Sequence, residues 1–501
     1  MRVTLVSFQE NSDVIGVKYL HAYITSKGYD SSILLIPNLR PNNIRAAIDY
    51  IIKCELDVLC FSAMSYEFQR AKDFANALKN RFDGCPVIFG GIHATADPES
   101  CLTVSDIVVR GEGEETLLEL LQVLDGSEPD NIAQVDGIVF KRGDQVIYTS
   151  VRQPIQALDT LPYPRHLPES MYVTHRENIH SVKEPNMYKR YARYEGTFLS
   201  IVSSRGCPFS CHYCCNSVLK SLYGKNNMRS RAPEYVIDEI VQEVRDFGNI
   251  LYVNFQDDCF MMHPMKWIAN FSEQYSRKIG IPFAARATPK DINREKWVLL
   301  KKAGLRWVFM GLQTGSDRIN REVYGRRITS EEFLRTANII SEQKLSPWYD
   351  VILDNPYETE IDHLQTIDIL LRTPRPFQLD LFSLDYFIGT ELRRRAIEDN
   401  IPIPELGTKS YTKPEPKMIN RYIRMSATLP PKLVCLLVHI RRTIPGKVVG
   451  ISFYGLSLLL EPFIYLWLVH RSNDFRVLRT IKVIKAFYLT MIKKVFLRKQ
   501  G

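Results

Sequence analysis

Residues 198–215 read FLSIVSSRGCPFSCHYCC, and the fold of the chain turns on this stretch. An alternating apolar run, FLSIVSS, has the pattern of a strand, and Arg205-Gly206 leads from it into Cys207, Cys211 and Cys214. The spacing is C-x-x-x-C-x-x-C, with Tyr213 just before the third cysteine. At this cysteine frequency chance yields such a spacing about 0.004 times per chain. Three soft thiolates on one tight loop suit an iron–sulfur cluster. Three ligands leave one iron open, which a substrate-binding cluster needs and an electron carrier does not. The alternative is a zinc site, which takes four protein ligands, with Cys215 or His212 as the fourth. Adjacent residues on one loop rarely converge on one tetrahedron.

Downstream of the cysteines, LYVNFQDD, FAARATP, WVFMGLQTGS, YDVILDNP and LDLFSLDYF are strand-like runs separated by helical lengths. With the strand before the cysteines they make six β/α units, a partial or complete barrel over 196–412 with its chemistry at the strand ends. Upstream, RVTLVSF, SSILLIP, DVLCFSAM, PVIFGG and DIVVRGEG alternate with helix-like stretches such as 43–53 and 67–81. That alternation predicts an α/β domain over 1–125, a doubly wound parallel sheet whose ligands sit beyond the carboxyl ends of its strands. Between the two, DGIVFKRGDQVIYT reads as a hairpin and LDTLPYPRHLP as a linker, together filling 126–195. A helical tail over 413–501 follows, without strand rhythm.

The cysteine motif and the strand ends behind it resemble the radical S-adenosylmethionine enzymes. The resemblance implies that Cys207, Cys211 and Cys214 hold a [4Fe–4S] cluster whose open iron binds S-adenosylmethionine. One electron then cleaves the sulfonium to a 5′-deoxyadenosyl radical. Tyr213 matches the aromatic position beside the adenine, and Gln256-Asp257-Asp258 the segment that grips the methionine amino group. An ammonium-type donor needs acceptors of that kind. Arg286 corresponds to a partner for the methionine carboxylate, while Gln313 and Ser316 lie in GLQTGS, which matches the ribose-contacting segment. Gln313 replaces the usual Glu there, and Tyr357 replaces a usual glycine in ILDNPYET (352–359). Taken singly, each of these polar residues reads equally as a helix cap or a core-satisfying group.

Residues 1–124 resemble the cobalamin-binding domain that one branch of that family carries, with GGIHAT and RGEGEETLLEL as its typical segments. The implied cobalamin contacts are Asn11, Asp13, Gly16, Ser62, Gly90, Gly91 and Glu112. Where such domains have D-x-H-x-x-G, this chain has Asn11-Ser-Asp13-Val-Ile-Gly16 and no histidine, which implies cobalamin bound without an imidazole beneath the metal. The alternative is a flavodoxin-like domain that has lost its ligand. His93 reads either as a corrin contact or as a solvated loop residue.

Composition sets the remaining bounds. With 45% apolar and 24% charged residues the chain is globular. The net charge of +9 is uneven: the segment 430–501 holds 13 basic and 2 acidic residues, the rest 52 and 54. A generally basic nucleic-acid binder is thereby excluded. The scattered cysteines do not form a disulfide framework, and the first strand does not resemble a signal peptide, so a reducing cytoplasm is expected. In the tail, 448–469 is apolar with one charge, Glu461, beside Pro462, which is expected to break a helix. Next, 475–499 interleaves basic with large apolar residues. The tail reads as an interfacial contact with anionic membrane, as helices packed on the barrel, or as a span.

The expected activity is methylation of an unactivated carbon, the best-known reaction of the branch. It draws on cobalamin, S-adenosylmethionine, the [4Fe–4S] cluster and a reductant protein such as ferredoxin or flavodoxin, and a lipid-like or tetrapyrrole substrate suits it. An oxidative cyclase or rearrangement enzyme with the same cofactors is the second reading, and an iron–sulfur electron carrier or redox sensor the third. Cys259 and Cys215 are candidate radical quenchers by position alone.

Overall fold

The five apolar runs of the amino-terminal part form strands because each is bounded by turn residues and followed by an amphipathic helix. In the computed structural model, which describes residues 1–82, 84–126, 129–224, 228–404 and 412–471, they are β1 (Arg2–Ser7), β2 (Asp30–Leu35), β3 (Val58–Ser62), β4 (Val87–Gly90) and β5 (Ile107–Val109). All five pair in parallel, in the order β5-β4-β3-β1-β2. Helices cover both faces. One face buries Val3, Leu5, Ile33 and Val58 against Leu117, Leu120 and Leu121 of the helix Glu114–Asp125. The other buries Val6, Leu34, Leu59 and Phe61 against Ile48, Ile51 and Phe74. Glu114 and Glu115 stand in the first turn of the Glu114–Asp125 helix, where negative charge offsets the helix dipole.

The segment 126–195 is more than a hairpin and a linker. β6 (Ile138–Arg142) and β7 (Gln145–Tyr148) form the expected hairpin, but it continues the sheet antiparallel to β5. A second hairpin, β8 (Met171–His175) and β9 (Asn178–Ser181), extends the other edge by pairing with β2. The sheet therefore has nine strands in the order β7-β6-β5-β4-β3-β1-β2-β8-β9. Edge strands of five residues or fewer gave little periodicity to read in the sequence.

The second sheet begins with β10 (Phe198–Ile201) and is preceded in space by a small antiparallel pair, β11 (Ser204–Arg205) with β12 (Arg229–Ser230). It continues with β13 (Tyr252–Phe255), β14 (Phe283–Ala287), β15 (Leu305–Gln313), β16 (Ser346–Leu353) and β17 (Gln378–Ser383), six parallel strands in sequence order. The first and last strands do not pair, so the barrel is partial. Alternate residues point outward, where Leu199, Val253, Phe283, Val308 and Tyr349 pack beneath the surrounding helices. The intervening residues Phe198, Tyr252, Ala284, Trp307 and Trp348 line the lumen near the amino-terminal ends of the strands.

The tail up to Arg471 closes this lower end. Helices Met418–Thr428 and Pro431–Ile440 join the outer core through Tyr422, Ile423, Val434 and Leu437. A third helix runs unbroken from Ile444 to Arg471, through Pro462. The expected break is absent because the helix is held on both sides of the proline. The Glu461 carbonyl accepts from Gln378 and its carboxylate pairs with Arg424 at 2.7 Å. Beyond the proline, Tyr465 and Leu468 are buried in the lumen cluster, and Trp307 stacks on Tyr465 with ring centroids 5.3 Å apart. The basic stretch 475–499 lies outside the described residues.

Candidate active site

The cysteine loop leaves β11 through Gly206, whose φ of +89° makes the turn that a side chain would strain. The Cys214 N–H donates to the Cys211 carbonyl at 3.0 Å, and the helix Asn216–Tyr223 starts at once. His212 fastens the loop to the barrel. Its N–H donates to the Tyr324 carbonyl at 2.9 Å, its own carbonyl accepts from Leu392, and Nδ1 donates to the Val323 carbonyl at 3.2 Å. Its Nε2 packs so tightly on Gly325 that a side chain there would collide with the ring. His212 is therefore a structural clip and does not serve as a fourth ligand. Tyr213 packs edge-on against Tyr324 at 5.0 Å.

Cys207, Cys211 and Cys214 are each partly exposed. Among the described residues no three His, Cys, Asp or Glu side chains converge on a single-ion site. A mononuclear zinc centre does not match that spread. The three-cysteine spacing suits a [4Fe–4S] cluster, in which each thiolate takes a different iron. Cys259, which follows Gln256-Asp257-Asp258 beyond β13, is buried with its Sγ 3.7 Å from that of Cys207. Its thiol, donating to Cys207, holds the Cys207 thiol below its usual range against the opposing effect of burial.

The strand-end residues divide into two groups. Asp258 and Arg286 are exposed toward the mouth of the lumen, and the Arg286 guanidinium is steered by Gln256 Oε1 at 3.3 Å and the Gln256 carbonyl. Gln313 adopts φ +67° at a bulge in β15, and its amide folds back over Gly311, where a side chain would collide with it. Asp257 differs from its expected place among the ligand contacts. It is buried and accepts from Ser203 N–H and from the hydroxyls of Ser203 and Ser204 at 2.6 and 2.5 Å. Burial pushes its carboxyl up, against those hydrogen bonds. Its function is to tie the end of β13 to the strand that delivers the cysteines. Ser316 is likewise a correction: it is fully buried, caps the helix Asp317–Glu322 by accepting from Ile319, and donates to Asp362 at 2.6 Å.

Below the mouth, Asp350 of β16 and Asp380 of β17 are directly opposite in register on the lumen side. Burial, then the neighbouring Asp380, raises the Asp350 carboxyl to about 7, with Arg286 and Arg326 opposing. Neither aspartate stands in a motif. Their only sequence signal is a charge at an inward position of an otherwise apolar strand.

Residues 1–121 match the B12-binding domain family and 201–370 the radical SAM superfamily. The chain belongs to the cobalamin-binding radical S-adenosylmethionine enzymes. Over 412 residues it is 26% identical to an uncharacterized methyltransferase of Pyrococcus horikoshii, covering 81% of this chain and 82% of that one. Over 362 residues it is 28% identical to the anaerobic magnesium-protoporphyrin IX monomethyl ester cyclase of Cereibacter sphaeroides, covering 67% of this chain and 52% of the cyclase. Its fold matches the cobalamin-dependent S-adenosylmethionine radical enzyme OxsB, solved with aqua-cobalamin, with a TM-score of 0.67 at 14% identity over 99% of this chain and 81% of that one.

The cofactors of this radical S-adenosylmethionine enzyme are a [4Fe–4S] cluster, S-adenosylmethionine and cobalamin. Its corrin domain offers room at the strand carboxyl ends. A side chain on Gly16 would project into open space, and Met64 stands 42% exposed two residues beyond Ser62. Gly16, Ser62 and Met64 would lie against a corrin bound at this edge. Gly90 lies at the same edge with ordinary contacts, whereas Gly91 at φ +97° is required by its own packing, since a side chain would meet the Ala63 carbonyl at 2.8 Å.

Four polar residues of this domain have partners within the protein. Glu112 binds Arg229 through both carboxylate oxygens at 2.6 and 2.9 Å and accepts from Ile155 N–H. Although burial opposes it, Arg229 and Arg205 hold the Glu112 carboxyl below its usual range. His93 is neither corrin contact nor solvated: it is buried, stacked on Phe68 at 3.9 Å between Ser65 and Ser100, and burial lowers its pKa to about 4. Asn11 and Asp13 are engaged within the protein. Asn11 Oδ1 accepts from Asp13 N–H, and the Asp13 carboxylate accepts from Ser200 of β10 at 2.6 Å. Sequence reasoning quoted Arg205 without giving it a role. Arg205 pairs with Glu114 at 2.6 Å and lies over the Tyr19 ring, clamping the cysteine-bearing strand to the corrin domain.

Proposed function

We propose that this enzyme transfers a methyl group to an unactivated carbon of a small-molecule substrate held between its two domains, in a reducing cytoplasm and with electrons from a small reductant protein. The observation that carries the reading is the ionic joint between the two cofactor domains. Glu112 and Glu114 grip Arg229 and Arg205 beside the cysteine loop, and Asp13 grips Ser200. That arrangement serves a reaction needing both cofactors at once. When bound, the reduced cluster supplies the electron that splits S-adenosylmethionine, and cobalamin supplies a methyl carrier.

The protein's share is binding and alignment. In this reading Asp258 accepts from an ammonium group, Arg286 pairs with a carboxylate and Gln313 hydrogen-bonds a hydroxyl; the exposure of Asp258 and Arg286 supports it. Asp350 and Asp380, opposite each other in register on the lumen side, can accept hydrogen bonds from a group entering the lumen. The aromatic floor of Trp307, Trp348 and Tyr465 excludes water from below. Methyl transfer is favoured over cyclisation because the methyltransferase relative matches over 82% of its length and the cyclase over 52%. The ten cysteines are all free, in keeping with a reducing compartment.

Anaerobic turnover of the cluster- and cobalamin-loaded protein with reductant, S-adenosylmethionine and fractionated host small molecules tests this. The expected result is 5′-deoxyadenosine and S-adenosylhomocysteine rising together with one fraction. Deoxyadenosine without S-adenosylhomocysteine would favour the cyclase or rearrangement reading. Neither product from protein with a verified cluster would refute both.

A further inference from the structure

The helix Ile444–Arg471 is apolar on every side, yet only one side is packed. A seam of Gly450, Phe453, Ser457, Leu460, Ile464, Tyr465 and Leu468 recurs every three or four residues and faces the barrel and the helix Met418–Thr428. The opposite side carries Val448, Ile451, Leu459, Phe463, Leu466 and Trp467, which are 45–70% exposed, and Leu436 of the preceding helix adds another at 55%. A helix on a water-facing surface normally has a polar outer side. This one has a single charged residue between 448 and 469, Glu461, and that carboxylate is paired with Arg424. A contiguous apolar patch of this kind marks a contact surface.

We propose that this face docks on an anionic lipid bilayer, with the helix lying in the interface. Charge selects the occupant. Thirteen basic residues flank the apolar stretch within 430–501, against two acidic ones, so a second copy of the chain would bring a net +11 against a net +11. An anionic headgroup layer complements both the apolar stripe and its basic flanks. Crossing the bilayer is disfavoured by the anchors on the packed side. The Leu468 carbonyl accepts from Ser346, and Arg471 donates to the carbonyls of Arg375 and Ser341. The helix is thereby held along the protein surface.

The test is co-sedimentation of the full-length protein with phosphatidylcholine vesicles, with and without admixed phosphatidylglycerol, at low and raised salt. Native protein is expected to pellet with the anionic vesicles only, and less so in raised salt. The combined variant Leu459→Glu, Phe463→Glu, Trp467→Glu is expected to bind about tenfold or more weakly. Ile292→Glu, at an exposed apolar position elsewhere, should bind as the native protein does. Far-UV dichroism and the unfolding midpoint check that the variants fold, and the salt and lipid dependence of the native protein tests the proposal without them. The proposal is overturned if native protein stays in the supernatant. It is overturned equally if the combined variant binds undiminished, which would place the contact on the tail beyond Arg471, or if this face proves to join two copies in solution.

Discussion

Asp257 and Asp258 are neighbours in the sequence with opposite situations. The first is buried under two serine hydroxyls, and the second is open to the mouth of the barrel. Asp257→Asn should therefore lower stability by about 2–3 kcal/mol, because an amide donor would face donors in a buried pocket. Asp258→Asn should leave stability within about 0.5 kcal/mol and weaken S-adenosylmethionine binding about tenfold. Denaturant midpoints and calorimetric titration of the cluster-loaded variants separate the two effects, and the reverse pattern would exchange the roles. At the cysteines, Cys207→Ala, Cys211→Ala or Cys214→Ala should each bring bound iron to background while the far-UV spectrum is kept. The spacing of the three cysteines was legible because one short loop sets it. The division between Asp257 and Asp258 was not, because it depends on Ser203 and Ser204, more than fifty residues away.

The carboxyl-terminal helix shows what an element adds. Its apolar length admits a span, an interfacial helix or a core helix, and Glu461-Pro462 reads as a break. The fold instead makes Tyr465 and Leu468 a plug for the lower lumen and gives Glu461 a partner in Arg424. Leu468→Ala should cost about 2–4 kcal/mol, as deletion of a fully buried leucine does, whereas Arg424→Ala should cost about 0.5 kcal/mol because both partners are partly exposed. Chemical unfolding of the two variants gives the comparison, and equal costs would argue against the plug.

Across the whole molecule, the joint between the domains is ionic and deeply placed. Glu112→Ala takes the bidentate carboxylate from Arg229, which is 7% exposed and keeps the Ile155 carbonyl, and should cost about 1–3 kcal/mol, with faster hydrogen exchange at β11 and β12 than in Glu112→Gln. His166, also at this joint, contacts Tyr188 and Phe247 and receives Lys18 on its carbonyl. Burial, followed by the Lys18 charge, lowers its pKa to about 3. The unfolded chain binds a proton near pH 6.5 that the folded chain refuses until about 3. The stabilising difference is thus complete above 6.5 and is lost as the pH falls, at about 1.4 kcal/mol per pH unit. His263, lowered to about 3 by burial, acts in the same direction. Unfolding curves at pH 7 and pH 5 should therefore differ less for His166→Gln than for the native protein.

The sequence by itself determined the cysteine loop, the parallel strands of both sheets and the order of the domains. Each of these follows from spacing or periodicity within a few dozen residues, which local sterics and burial impose. Only the tertiary structure decided that Glu112 and Ser316 serve the protein's own packing, that His93 is a core residue and that 138–181 completes the first sheet at both edges. A polar side chain binds whatever partner folding brings within about 3 Å, and no local pattern encodes that partner. The same reason leaves the outer face of the last helix for the fold to reveal. Apolar on every side in sequence, it acquires a packed side and an open side only when the barrel occupies one of them.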